Sequence, residues 1–257
     1  MSNPNPQSDY KYTHMIDAIF IQSFEGEIKN SRINLFLNQL YDKLYNKNIK
    51  IVLFLNFQSI EIKNNLLLPP GSNIDIIYIE EDSAKNPTTR MFHFLLNHEV
   101  EKYQKILLLE SDCSLKKDFD EELNSNLFKL NNDQWLIYGS KYYGLMPWMS
   151  GTEEESKLRR AHMNGVAIYN RDCTLLNLFN YIIISSDLEE SMINYDFAIH
   201  QQLTRFNVED RMIDSPLILN ISDPNHDTKL THHKLKPEAV IIHTKNPGYY
   251  NKDTNMF

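Results

Sequence analysis

The first 115 residues of the 257-residue chain alternate short apolar runs with amphipathic stretches, and few folds accept that order. Ile16–Gln22 is an Ile-rich run bounded by polar residues, which predicts a strand. Ile33, Leu35, Phe36, Leu40, Leu44 and Tyr45 recur at helical spacing, which predicts an amphipathic helix over about 30–47. Ile49–Leu55 is almost continuously apolar, the pattern of a strand covered on both faces. Pro69-Pro70-Gly71 predicts a turn and Ile74–Ile79 a third strand. Met91, Phe92, Leu95, Leu96 and Val100 mark a second helix entered through Asn86–Thr89, and Ile106–Leu109 a fourth strand. The order implies an α/β chain with a mainly parallel sheet flanked by helices. Ligands of such sheets bind beyond the carboxyl ends of the strands.

The second half is less regular. Trp135–Tyr138 and Gly165–Tyr169 are short strand candidates, separated by a mostly polar connection with Pro and Gly over 139–160. Helices are expected near 172–182 and 195–205, and a last strand at Ala239–Ile242. No internal repeat or linker divides the chain, so a flexible arm over 1–14 and a single domain over 15–257 are expected. Acidic residues outnumber Lys and Arg, 34 to 26, for a net charge of −8. That balance argues against nucleic acid or an anionic membrane as the main partner, because both attract cationic surfaces. The apolar runs are far shorter than a membrane span, and Met1–Met15 has no apolar leader core. The cysteines, Cys113 and Cys173, cannot build a disulfide framework, and a cytoplasmic setting is expected.

The segment Lys105–Asp112 carries most of the chemistry. A buried strand runs straight into Glu110 and Asp112, two residues apart. In extended chain, positions i and i+2 point to one side, so both carboxylates are expected to face one ligand. Hard divalent cations take oxygen ligands, and a diphosphate can complete the shell. The competing role is an ordinary polar turn after a strand.

The segment resembles the DxD signature of nucleotide-sugar-dependent glycosyltransferases of the GT-A fold, glycogenin- and galactosyltransferase-like, with Glu in place of the first Asp. Other segments follow in that family's order: His162–Asn170 is similar to its Asn- and Gly-containing sugar-pocket strand. Asn194–Gln201 is similar to its acidic helix start, and Ile241–Lys245 to its late His with a following basic residue. The resemblance implies a Rossmann-like, mixed but mainly parallel central sheet. It also implies a nucleotide-binding half over about 15–115 and an acceptor half over about 116–257, taken from the chain order of the motifs.

On that resemblance, Glu110, Asp112 and His243 are expected to ligate Mn²⁺ or Mg²⁺, with Glu110 alternatively holding the ribose. Ser111 lies between the acids and is expected to line the nucleotide site. Gln22 and Ser23 would end the first strand beside the base, or form a plain polar turn. Arg90 would reach the diphosphate or the sugar and Lys245 the diphosphate, or both would stay solvated. Asn164 and Gly165 would line the sugar pocket, Gly allowing close backbone approach, or simply open a strand. A lone His is often structural, which is the alternative role for His243. Asp196 would act as general base toward the acceptor in an inverting enzyme or bind sugar in a retaining one; its alternative is a helix-dipole partner. The aromatic stretch Tyr142–Trp148 suits stacking on sugar rings, or packing as a flap.

The expected activity is therefore metal-dependent transfer of a sugar from a nucleoside-diphosphate sugar, with UDP as the expected nucleotide. The acceptor would be a hydroxyl of a glycan, protein or small molecule. A sugar-phosphate nucleotidyltransferase and a non-catalytic carbohydrate-binding protein of the same fold stay open as alternatives. The acidic Gln22–Glu27 segment disfavours the former, which wants a Gly-rich basic phosphate loop. Walker, GxGxxG and GxSxG motifs are absent.

Overall fold

The computed structural model describes residues 15–24, 31–56, 64–78, 103–127, 129, 137–139, 142–143, 166–170, 212–221 and 236–244. The helices expected near 91–100, 172–182 and 195–205 lie outside the described residues, as do the arm over 1–14 and most of 139–160.

Among the described residues, the larger sheet has seven strands. β1 (Ala18–Phe24) pairs in parallel with β2 (Lys50–Asn56) and β4 (Lys105–Leu109), and β2 pairs in parallel with the edge strand β3 (Ile74–Tyr78). β8 (Val166–Asn170) then runs antiparallel to β4 and to β6 (Ile137–Gly139), and β9 (Met212–Asp214) runs parallel to β6. The result is the mixed, mainly parallel sheet expected from the sequence, and it draws strands from both halves of the chain.

Apolar side chains are needed on both faces of the central strands, and the sequence supplies them. Ile19, Ile21, Ile51, Leu53, Leu55, Leu107 and Leu109 point to one face and join one core cluster. The helix α1 (Arg32–Lys43) covers this core with Ile33, Phe36, Leu37 and Leu40, spaced for one helical face. On alternate positions, Phe20 meets Phe54 and Tyr103 edge to face, with centroids 5.4 and 5.6 Å away. The helix is shorter than the expected 30–47, and Leu35 and Tyr45 point to solvent. Its helical register places Leu35 off the buried stripe, and extended backbone at Leu44 ends the helix before Tyr45.

Polar groups tie the lower ends of these elements together. The Asp17 carboxylate accepts from the amides of Gln104 and Lys105, at 2.7 and 3.0 Å. A second helix, α2 (Phe119–Leu127), packs Phe119, Leu123 and Leu127 into the same core. Its Asp120 accepts from the amides of Tyr45 and Asn46, and Asn124 Oδ1 from that of Ile16. The expected turn at 69–71 is present: Gly71 takes φ +77° and the Ser72 amide donates to the Pro69 carbonyl.

A smaller sheet, with four strands among the described residues, follows the exit of β4. Its order is β5 (Cys113–Leu115), β11 (Ile241–Thr244), β10 (Ile218–Ile221) and β7 (Tyr142–Tyr143). β11 begins two residues later than the expected strand at Ala239, because the chain still bends at Val240 before entering it. Tyr142 and Tyr143 belong to a strand paired with β10, which corrects the expectation of a loop at those two residues. Lys236, buried to 7% exposure, anchors the approach to β11. Its ammonium donates to Asp214 Oδ1 and to the carbonyls of Ser215 and Ile218, at 2.7, 2.6 and 2.9 Å.

Removing that ammonium takes its donor from a carboxylate and two carbonyls. Lys236→Ala is expected to lower the unfolding free energy by about 2–4 kcal/mol. Urea titration checks this, and a loss within about 0.5 kcal/mol, the range of an ordinary surface change, would contradict it.

Candidate metal centre at the junction of the two sheets

The site forms where the chain leaves the larger sheet and enters the smaller one. β4 ends at Leu109, and β5 begins four residues later. The intervening Glu110, Ser111 and Asp112 make a turn closed by the Cys113 amide donating to the Glu110 carbonyl at 3.2 Å. The extended geometry expected for the two acids is therefore replaced by a turn, because the chain must swing from one sheet to the other. The turn still delivers both carboxylates to one place.

That place is set by β11. It runs antiparallel to β5 with His243 opposite Cys113, one residue from Asp112. The fully buried His243 presents Nε2 at 3.0 Å from Glu110 Oε2 and 3.0 Å from Asp112 Oδ1. One donor atom from each of the three residues lies within 4.8 Å of the others. On the far side of the ring, Nδ1 lies 2.9 Å from Oδ1 of the buried Asn220, its register partner on β10. A carboxamide oxygen only accepts, so Nδ1 carries the proton and Nε2 is the ring nitrogen left to ligate. Arg32, the first residue of α1, sits 3.6 Å from Asp112 Oδ2.

The electrostatics follow from this packing. Burial alone would lower the His243 pKa. The charges of Asp112 and Glu110, and hydrogen bonds to both, outweigh burial and push it up to about 10. Burial raises the Asp112 carboxyl, but His243 and then Arg32 outweigh it and hold it below its ordinary value. Burial, then the charges of Asp112 and Glu110, push the Cys113 thiol well up, so it stays protonated and is no thiolate ligand.

Two carboxylates and one imidazole suit a divalent cation such as Mn²⁺ or Mg²⁺, and three protein ligands leave positions open for a ligand's oxygens. The sequence had offered these three as ligands, and the structure brings their donor atoms together. The sequence did not single out Asn220 or Arg32. A buried polar residue interrupting the apolar run Leu217–Ile221 was the available signal for Asn220. No local signal marked Arg32. Ser111 is buried within the turn, and Ser23 is buried inside β1, opposite Leu55, rather than ending the strand. Gln22 also lies within β1, opposite Phe54. Arg90, Asn164, Gly165, Asp196 and Lys245 lie outside the described residues.

Neither a family model nor a curated protein sequence matches the chain. Solved structures do. The galactosyltransferase LgtC, determined with donor and acceptor sugar analogs, aligns with a TM-score of 0.59 at 12% identity, over 90% of this chain and 87% of that one. The bifunctional glycosyltransferase WbbM aligns with a TM-score of 0.57 at 15% identity, over 93% of this chain and 46% of that one. GlyE of Streptococcus pneumoniae TIGR4, a glycosyltransferase, aligns with a TM-score of 0.50 at 13% identity, over 89% and 54%. The chain has the GT-A glycosyltransferase fold. Among its described residues, no helix is long and apolar enough to cross a membrane.

The raised His243 pKa makes a signed prediction for the metal-free protein. A value above the ordinary 6.5 means the imidazolium stabilises the fold fully below pH 6.5 and loses that contribution as pH rises toward about 10. In EDTA, the melting temperature should fall across that window more steeply for the wild type than for His243→Gln. Equal slopes would contradict the assignment.

Proposed function

We propose that the protein is a metal-dependent glycosyltransferase that moves a sugar from a nucleoside-diphosphate sugar, a UDP-sugar in the first instance, to a hydroxyl acceptor. The observation that carries the reading is the convergence of Glu110, Asp112 and His243 where the parallel β4 ends, in a chain of GT-A fold. Ligands of parallel α/β sheets gather at that edge. Glu110, Asp112 and His243 would hold Mn²⁺ or Mg²⁺, which as a Lewis acid supplies charge stabilisation to the departing diphosphate.

The reaction breaks the bond between the sugar's anomeric carbon and the diphosphate and forms one to the acceptor oxygen. The diphosphate leaves on the nucleotide. In an inverting course the acceptor proton passes to a carboxylate, and Asp196 is the residue proposed for it. Ser111, Gln22 and Ser23 are proposed to line the nucleotide side of the pocket. Asn164 and Gly165 are proposed for the sugar side, and Arg90 and Lys245 for the diphosphate. The glycosyltransferase class of the structural neighbours supports this reading over a nucleotidyltransferase.

Calorimetry and turnover together test it. The wild type should bind UDP with Mn²⁺ and release UDP from a UDP-sugar in its presence. Asp112→Asn should lose the Mn²⁺-dependent binding while melting cooperatively. Asp196→Asn should keep UDP affinity and lose about 10²–10⁴-fold in transfer. Unchanged Mn²⁺-dependent UDP affinity in Asp112→Asn would refute the metal assignment. Normal transfer by Asp196→Asn would move the base elsewhere.

A further inference from the structure

We infer that Arg32 is the side chain that makes the loaded site attractive to a diphosphate, and that it is not simply a structural counter-ion of Asp112. The inference rests on the glycosyltransferase reading. Arg32 opens α1, and its guanidinium stands beside the metal-binding cluster. The pair to Asp112 spans 3.6 Å, with side-chain exposures of 22% and 13%. That distance exceeds the roughly 2.7–2.9 Å of a charge-assisted hydrogen bond. The guanidinium thus meets the carboxylate as an ion pair, within a side chain that is partly exposed.

Charge decides what this placement does. The carboxylates of Glu110 and Asp112 cancel a divalent cation, so three ligands and their metal together would be neutral. Such a centre would hold diphosphate oxygens through the metal's open positions, with no net charge added to those bonds. Arg32 adds one positive charge within ion-pair distance of a ligand. Its planar fork of N–H donors also matches phosphate oxygens in geometry. The same charge opposes the metal ion. Arg32 should therefore weaken binding of the cation alone while strengthening binding of cation and diphosphate together, which no structural role would do.

The opposite signs make the test. Mn²⁺ alone, then UDP and inorganic pyrophosphate in saturating Mn²⁺, are titrated into wild type, Arg32→Met and Arg32→Lys by calorimetry on the full chain. Arg32→Met should bind Mn²⁺ alone about two- to fivefold more tightly, as expected for removal of a partly screened charge. It should bind UDP and pyrophosphate about ten- to a hundredfold more weakly, the loss expected for a charged hydrogen-bond donor. Arg32→Lys, which keeps the charge without the fork, should fall between. Unchanged UDP affinity would overturn the inference. So would parallel weakening of Mn²⁺ and UDP, the mark of a structural residue, or a loss for UDP that pyrophosphate does not share. If the wild type itself bound neither UDP nor pyrophosphate with Mn²⁺, the glycosyltransferase reading would fail first, and this inference with it.

Discussion

The imidazole of His243, held between Glu110 and Asp112, is the contact on which the site depends. Two carboxylates brought together at a largely buried turn repel one another unless a positive group stands between them. In the metal-free chain that group is the His243 imidazolium, and Arg32 also pairs with Asp112. The cluster is thereby assembled before any cation arrives. A divalent ion would compete with the proton on Nε2, so its affinity should rise with pH. The strength of the proton-bound state and the selectivity of the metal-bound state come from the same three side chains.

Backbone pairing fixes the geometry more firmly than side-chain packing could. β11 lies between β5 and β10, and His243 is locked opposite Cys113 on one side and Asn220 on the other. A one-residue slip of β11 would turn the imidazole to the opposite face of the sheet. Lys236 resists such a slip by tying the segment before β11 to Asp214, Ser215 and Ile218. Asn220 then selects the ring nitrogen that meets the acids. The larger sheet supplies the turn through β4, and the smaller sheet supplies the histidine.

Much of this was legible in the chain because it depends on local pattern. The continuous apolar runs of β2 and β4 announce strands buried on both faces, and the helical spacing of Ile33, Phe36 and Leu40 announces α1. Glu110 and Asp112 stood out because polar residues follow an apolar strand abruptly. Other features depend on pairing across the sequence. β5 is three residues long, too short to show any period, and exists because β11 pairs with it. The turn at Glu110–Asp112 cannot be told from extended chain without knowing that a second sheet follows. α2 was visible in principle, since Phe119, Leu123 and Leu127 share a helical face behind Asp120, Glu121 and Glu122. Arg32 had no local signature, because a basic residue at the start of an amphipathic helix is ordinary until the fold sets it beside Asp112.

The central claim is that residues 110, 112 and 243 converge on one cation. Pulsed electron paramagnetic resonance of Mn²⁺ bound to the protein tests it most directly, because the modulation reports nitrogen bonded to the ion. The account predicts coupling to a single imidazole nitrogen in the wild type, lost in His243→Gln while Mn²⁺ still binds more weakly through the carboxylates. Bound Mn²⁺ without nitrogen coupling in the wild type, or coupling that persists in His243→Gln, would contradict it.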